Sequence, residues 1–109
     1  MDEKSAVVSL SALAQGMRLC VFRALVGAGP QGMTPGALSA TLDVPASTLS
    51  FHLKELTQAG LVSQERDGRN LIYRPAIDQM QALLDYLTAH CCQGVSCSPK
   101  VSRTRITCA

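Results

Sequence analysis

Apolar residues recur at helical spacing in two runs near the start of the chain, over residues 5–15 and 17–26. Their apolar members are Val7, Val8, Leu10, Leu13, Leu19, Phe22, Leu25 and Val26. The segment GAGPQG follows, and its three glycines and one proline do not sustain a helix. The pattern therefore predicts two helices that end before residue 27.

Two further helices are predicted on either side of a very short turn. Thr34-Pro35 is a helix start, with a hydroxyl N-cap and proline in the first turn, and this helix runs to about Leu42. The turn is Asp43-Val44-Pro45, because proline disfavours a helical residue before it. The next helix runs from about Ala46 to Gly60.

A hairpin and a last helix complete the pattern. Two short apolar runs, residues 61–62 and 71–73, flank the turn dipeptide Asp67-Gly68, and Pro75 ends the second strand. One stripe of the final helix is then formed by Ile77, Met80, Leu84, Leu87 and Cys91. Periodicity vanishes after Gly94.

This order of elements predicts a mainly α fold with a small β-hairpin: a winged helix-turn-helix of five helices and a two-stranded wing. Such a fold places one helix in the DNA major groove. We expect residues 1–92 to form the DNA-binding and dimerisation domain, and residues 93–109 a basic, cysteine-containing tail.

Composition is compatible with this interpretation. At 109 residues with 47% hydrophobic and 17% charged residues, the chain is expected to be one globular domain. A net charge of +2 permits DNA binding without indicating it. The N-terminus does not resemble a signal peptide, and no apolar run approaches the ~20 residues that span a bilayer. We therefore expect a cytoplasmic protein with no membrane partner, reduced cysteines, and Cys20 in the core.

The second helix of the pair has the features of a DNA-reading helix. Leu49, Leu53 and Leu56 share one face, and short hydroxyl side chains lie opposite. His52 lies nearer the leucine side, so packing or a phosphate contact is expected of it before base reading. The same helix taken alone is also compatible with an ordinary amphipathic helix. The candidate DNA-binding residues are Ser47, Thr48, Ser50, Phe51, His52 and Lys54 on the helix, and Arg66, Arg69 and Asn70 on the wing.

These segments resemble those of ArsR/SmtB-type repressors. AQGMRLCVFRAL is similar to their A-x-x-x-R-x-x-I-L-x-x-L opening, and STLSFHLKELTQAGLVSQERDGRNLIYR to their recognition helix and wing. The matching residues of the second segment are Ser50, His52, Leu53, Leu56, Ala59 to Val62, Arg66, Gly68, Arg69 and Tyr73. Phe51 differs, because many relatives carry a polar or basic residue there. The resemblance covers roughly residues 10 to 90.

The resemblance implies a homodimer that leaves double-stranded operator DNA when it binds a metal or metalloid. In relatives the first and last helices form the dimer interface. Here the corresponding apolar residues are Val7, Leu10, Ile77, Met80, Leu84 and Leu87.

Two metal sites of this family are absent from the sequence. The helix before the turn contains no cysteine pair, and the last helix lacks the Asp-x-His and His-x-x-Glu set. What remains is Cys91, Cys92 and Cys97, which resembles the set of an arsenic-responsive branch with C-terminal vicinal cysteines. Three thiolates suit As(III) or Sb(III). Zinc is the main competitor, with His90 or Cys108 as a fourth ligand.

Three functions remain open on the sequence. The first is a repressor released by As(III) or Sb(III), and the second is a repressor of the same fold that senses thiol redox state or persulfide. The third is a winged-helix protein-docking module with structural zinc. An enzyme is not expected, because no carboxylate pair, nucleotide loop or supported Cys–His dyad is present, and no small organic substrate is predicted.

Overall fold

The computed structural model describes residues 1–90 of the chain, and within them five helices and one antiparallel hairpin. The elements are α1 (Glu3–Leu13), α2 (Gly16–Ala28), α3 (Pro35–Leu42), α4 (Ala46–Gln58), β1 (Val62–Asp67), β2 (Asn70–Pro75) and α5 (Ile77–Thr88). The predicted winged helix-turn-helix is confirmed. The predicted domain boundary between residues 92 and 93 lies outside the described residues.

A sharp corner joins α1 and α2, whose axes differ by 99°. The Gln15 side chain caps α2 by accepting the Arg18 N–H at 2.9 Å, and Arg18 Nε donates to the Ala12 carbonyl of α1 at 2.7 Å. Arg18 thus supplies a donor to one of the last carbonyls of α1, where the helix has no following turn to provide all of them. Within residues 1–90 no single helix has the length and apolarity of a membrane span, although α1 and α2 together reach that length and composition across their bend.

The turn between α3 and α4 is held by side-chain and backbone bonds. Thr34 caps α3 as predicted, accepting the Ala37 N–H at 3.2 Å. Asp43 ends α3 in the left-handed region with φ 54°. Ser39 Oγ donates to the Val44 carbonyl at 2.6 Å, and the Val44 N–H donates back to the Ser39 carbonyl at 3.2 Å. The two helices therefore keep a defined angle, which sets the orientation of α4.

One apolar cluster packs α2, α3, α4 and the start of β1 together. Its side chains are almost completely removed from solvent, and Met17, Met33, Tyr73 and Met80 pack against its edge. Burial on this scale contributes roughly 1.5–3 kcal/mol for each large aliphatic side chain. The buried members are Val21, Phe22, Leu25, Leu38, Leu49, Leu53, Leu56, Leu61 and Val62.

The hairpin is longer than the sequence predicted, and its turn falls one residue later. Asp67 pairs with Asn70, so the two loop residues are Gly68 and Arg69 instead of Asp67 and Gly68. Gly68 has φ 63°, and a positive φ at the first loop position is the requirement of a type II′ turn. Five consecutive polar residues follow Val62 on β1, so the apolar pattern alone could not predict the outer part of the hairpin.

The wing is attached to the loop before α3. Met33 and Tyr73 exchange two backbone hydrogen bonds, of 3.0 and 2.8 Å. Gly32 lies so close to β2 that a Cβ there would be 2.6 Å from the Tyr73 carbonyl oxygen. The loop therefore fixes the position of β2 relative to the helix pair.

The last helix ends earlier than predicted. The apolar stripe was expected to continue in a helix to Cys91, but α5 ends at Thr88. Ala89 is extended with ψ 136° and His90 is left-handed with φ 61°, so the helical hydrogen-bond ladder stops before residue 91. Along α5, Leu83 is buried and Met80 packs against the core, whereas Ile77, Leu84 and Leu87 are exposed.

Candidate nucleic-acid interface

The outward face of α4 is presented by a helix anchored on its other side. Leu49, Leu53 and Leu56 are each no more than 1% exposed, in the core against α2 and α3. A helix held in this way cannot rotate without exposing three leucines. Its polar face therefore has a fixed direction.

Eight of the nine predicted DNA-binding residues are exposed on α4 and the wing. Phe51 is 56% exposed, an unusual position for a large aromatic side chain in a soluble domain. Its ring is available to an apolar partner such as a thymine methyl group. The exposed residues are Ser47, Thr48, Ser50, Phe51, Lys54, Arg66, Arg69 and Asn70.

His52, the ninth, is only 7% exposed and packs into the protein. Its Nδ1 is buried without a hydrogen-bond partner among the described residues, and its ring contacts the edge of Phe51 at 5.5 Å. Burial lowers the pKa of His52, the charge of Arg18 lowers it further, and Glu55 opposes both. A neutral imidazole in this environment favours the packing interpretation over a phosphate contact.

The strand register places the charges of the wing on two different faces. Side chains alternate along a strand, so Gln64 and Arg66 share the face of buried Val62, and Glu65 lies on the other. Glu65 accepts a hydrogen bond from Arg74 at 2.5 Å, and Arg74 Nε also donates to the Pro30 carbonyl at 2.9 Å. The negative charge of Glu65 is therefore compensated away from the face that carries Arg66.

Four further polar residues, not among the predicted DNA-binding residues, lie on α4 and on the wing beside it. Thr57, Gln58, Gln64 and Tyr73 line a small cleft together with Ser50 and Lys54. The strand register identifies Gln64 and Tyr73 as neighbours in this cleft, because the two residues lie directly opposite each other. That register could not be assigned from sequence because the turn was placed one residue early.

The predicted metalloid ligands Cys91, Cys92 and Cys97 lie outside the described residues. Within residues 1–90, no group of three or more His, Cys, Asp or Glu side chains is arranged to hold a metal ion. Cys20 is half-buried on α2 and disulfide-bonded. This corrects the expectation that Cys20 is a reduced core thiol.

A second exposed surface, apolar in character, lies on α1 and α5. The two helices are in contact, and Gln79 Nε2 donates to the fully buried Ser9 hydroxyl at 3.3 Å. Of the six predicted interface residues only Met80 is turned mainly toward the core. The exposed apolar residues here are Val7, Val8, Leu10, Ile77, Leu84 and Leu87, between 42% and 54% exposed.

The chain is similar to known DNA-binding regulators in sequence. A family profile described as a helix-turn-helix domain matches residues 13–65. The transcriptional activator HlyU of Vibrio cholerae is 31% identical over 93 residues, which cover 85% of this chain and 83% of HlyU. A solved structure of reduced HlyU superposes with a TM-score of 0.64 and 30% identity, covering 83% of this chain and 92% of that one.

Two other solved structures share the fold. A protein described as a possible transcriptional regulator for arsenical resistance has a TM-score of 0.60 and 31% identity, covering 73% of this chain and 83% of that one. The homodimeric winged helix-turn-helix domain Mb0332 of Mycobacterium bovis, described as a possible ArsR-family regulator, has a TM-score of 0.65 and 24% identity. The two chains are covered to 81% and 86%.

The relatives are transcriptional regulators and not enzymes. The structure agrees with this family of relatives. It has a leucine-anchored helix with an exposed polar face and a hairpin wing beside it, and HlyU is matched over most of its length. The chain belongs to the ArsR-type family of winged helix-turn-helix, DNA-binding transcriptional regulators.

Proposed function

We propose that the protein is a dimeric repressor that leaves its operator when As(III) or Sb(III) binds Cys91, Cys92 and Cys97. The observation that carries the proposal is the position of these cysteines in the chain, just after the last helix. Three cysteines within seven residues begin three residues after the end of α5. That helix contacts α1 and, with it, bears the exposed apolar surface.

The donor set fits a soft trivalent ion. Thiolates favour soft ions, and As(III) and Sb(III) take three sulfur ligands, whereas zinc requires a fourth ligand. Ligation would deprotonate the three thiols and constrain the chain immediately after α5. The solved relative described as a possible transcriptional regulator for arsenical resistance supports an ion of this class.

Dimerisation connects the cysteines to the DNA-reading helices. Side chains that are half-exposed and apolar on both α1 and α5 are suited to a partner subunit. Mb0332, which has the same fold, is homodimeric. Two α4 helices must lie about 34 Å apart to enter successive major grooves, so a small change at the end of α5 alters their fit. Only ~1–3 kcal/mol of differential affinity is required for release.

The test is operator release measured by fluorescence anisotropy on a duplex from upstream of the gene. Arsenite is expected to release the wild-type protein, and Cys91→Ser, Cys92→Ser and Cys97→Ser are expected to bind DNA normally but to resist release. Cys108→Ser is the matched control and should respond like the wild type. Release of all three variants by arsenite contradicts the proposed site.

One observation favours a second candidate, a repressor that responds to thiol oxidation. Cys20 on α2 is disulfide-bonded, which is a state of the thiol that oxidation and reduction interconvert. If oxidation is the signal, peroxide releases the wild-type protein from DNA and Cys20→Ser does not respond. Release of Cys20→Ser by arsenite would show that the metalloid site does not require Cys20.

A further inference from the structure

A small cleft lined by polar residues separates α4 from the wing. Its volume is about 170 Å³, well below the ~300–1,000 Å³ typical of sites for drug-sized organic ligands. We infer that this cleft binds one phosphate of the DNA backbone, an inference that rests on operator binding by this face. Its lining residues are Ser50, Lys54, Thr57, Gln58, Gln64 and Tyr73.

One wall of the cleft is a row on α4. Ser50, Lys54 and Gln58 are spaced four residues apart, so their side chains lie one above the other along the helix. Thr57 stands beside this row, but its hydroxyl already donates to the Leu53 carbonyl at 2.7 Å. The row therefore supplies a hydroxyl, an ammonium group and an amide to the cleft.

The opposite wall is a cross-strand pair of the wing. Gln64 and Tyr73 are directly opposite in the register, so both project from the same face of the hairpin. This is the face whose first residue, Val62, is buried against the core. The bridge between Met33 and Tyr73 holds this part of β2 in place.

The polar groups of both walls are available for a ligand. Within residues 1–90, the side chains of Ser50, Lys54, Gln64 and Tyr73 make no hydrogen bond or ion pair with another residue. The ammonium group carries three donors, and the hydroxyls and amide add further donors. Unused donors that converge on one small space fit a group with several acceptor oxygens.

The charge of the cleft is positive. Among the lining residues that belong to the described part of the chain, Lys54 is the one ionisable cation and none is an acid. The two acids of β1, Glu65 and Asp67, alternate onto the other face of the hairpin, and Glu65 is paired with Arg74. Phosphate contacts of this kind set the register of a protein on DNA without reading sequence. Such a contact here would align Ser47 and Phe51, on the same helix, with the base edges.

The experiment is a methylphosphonate scan, in which each phosphate of a bound duplex is in turn made neutral. The wild-type protein is expected to lose affinity when one particular phosphate in each half-site is neutralised. Lys54→Gln is expected to show no further loss at that phosphate, but to lose affinity at the other sensitive phosphates as the wild type does. On the unmodified duplex, Lys54→Gln should reduce the slope of log K against log[salt] by about 0.9 per protomer. Lys4→Gln, an exposed lysine on α1, is the matched control and should leave the slope unchanged.

Tyr73→Phe tests the wing side of the cleft, because it removes the hydroxyl and keeps the ring that packs against the core. It should weaken binding several-fold with no change in the melting temperature. The inference is overturned if Lys54→Gln loses affinity at the same methylphosphonate positions as the wild type. Failure of the wild type to bind the unmodified duplex would instead contradict DNA binding itself.

Discussion

Phe51 and His52 are neighbours in sequence and have opposite environments in α4. Adjacent helical residues point about 100° apart, so the first lies outside at 56% exposure and the second inside at 7%. Helical periodicity alone predicted this difference. The Nδ1 of His52 has no hydrogen-bond partner among residues 1–90, and this could not be predicted because it depends on tertiary packing.

Replacement of Phe51 by alanine separates stability from DNA binding. The exposed ring contributes little to the core, so the free energy of unfolding should change by less than about 0.5 kcal/mol. Operator affinity should fall by at least about 5-fold, the lower end of what one lost base contact costs. Denaturant titration and fluorescence anisotropy measure the two quantities. Unchanged affinity would remove Phe51 from the interface.

His52 should make the stability of the protein depend on pH. Because burial lowers its pKa in the folded state, the unfolded chain binds a proton more readily. Stability is then complete above the unfolded value of about 6.5 and is lost as pH falls through it toward the lower folded pKa. His52→Gln should show a smaller drop in melting temperature between pH 8 and pH 5 than the wild type. His90→Gln, at an exposed position, is the control, and equal drops in all three proteins would refute the assignment.

At the scale of elements, the parts defined by local chemistry were predictable and the parts defined by packing were not. Thr34, Pro35 and Pro45 placed the helix-turn-helix almost to the residue. The end of α5 was missed because the apolar spacing continues to Cys91 with no glycine or proline to stop it. The cleft beside α4 was missed because it requires the register of the hairpin.

Ser39 stabilises the turn between α3 and α4 through two hydrogen bonds with Val44. Ser39→Ala removes the 2.6 Å bond to the Val44 carbonyl and should cost about 1 kcal/mol of folding free energy. For a domain of this size the melting temperature should fall by roughly 4–8 °C. Ser63→Ala, at an exposed position on β1, is the control. An unchanged melting temperature for Ser39→Ala would show that the bond does not stabilise the turn.

At the scale of the whole molecule, one face presents polar groups and cations and another presents apolar side chains. The apolar face on α1 and α5 was predicted from helical spacing, except that Met80 belongs mainly to the core. The disulfide at Cys20 was not predicted, because a single cysteine among apolar residues is equally typical of a buried thiol.

A charge placed on the apolar face should separate the subunits. Leu87→Glu puts a carboxylate at a position that is 53% exposed in the single chain, where a partner would bury it. Sedimentation should then show a monomer, and operator affinity should fall on the order of 100-fold or more as bivalent binding is lost. Gln31→Glu adds the same charge on the loop after α2 and should leave the oligomeric state and the operator affinity unchanged. A dimer formed by Leu87→Glu would place the interface elsewhere.

Hydroxyl-radical footprinting of the wild-type protein on DNA from upstream of its gene tests the central claim most directly. Two copies of α4, each followed by a wing, should protect two patches on one face of the duplex. Their centres should be separated by about 10 base pairs, or a multiple of the helical repeat. The absence of protection at low salt, or a single isolated patch, would contradict the account.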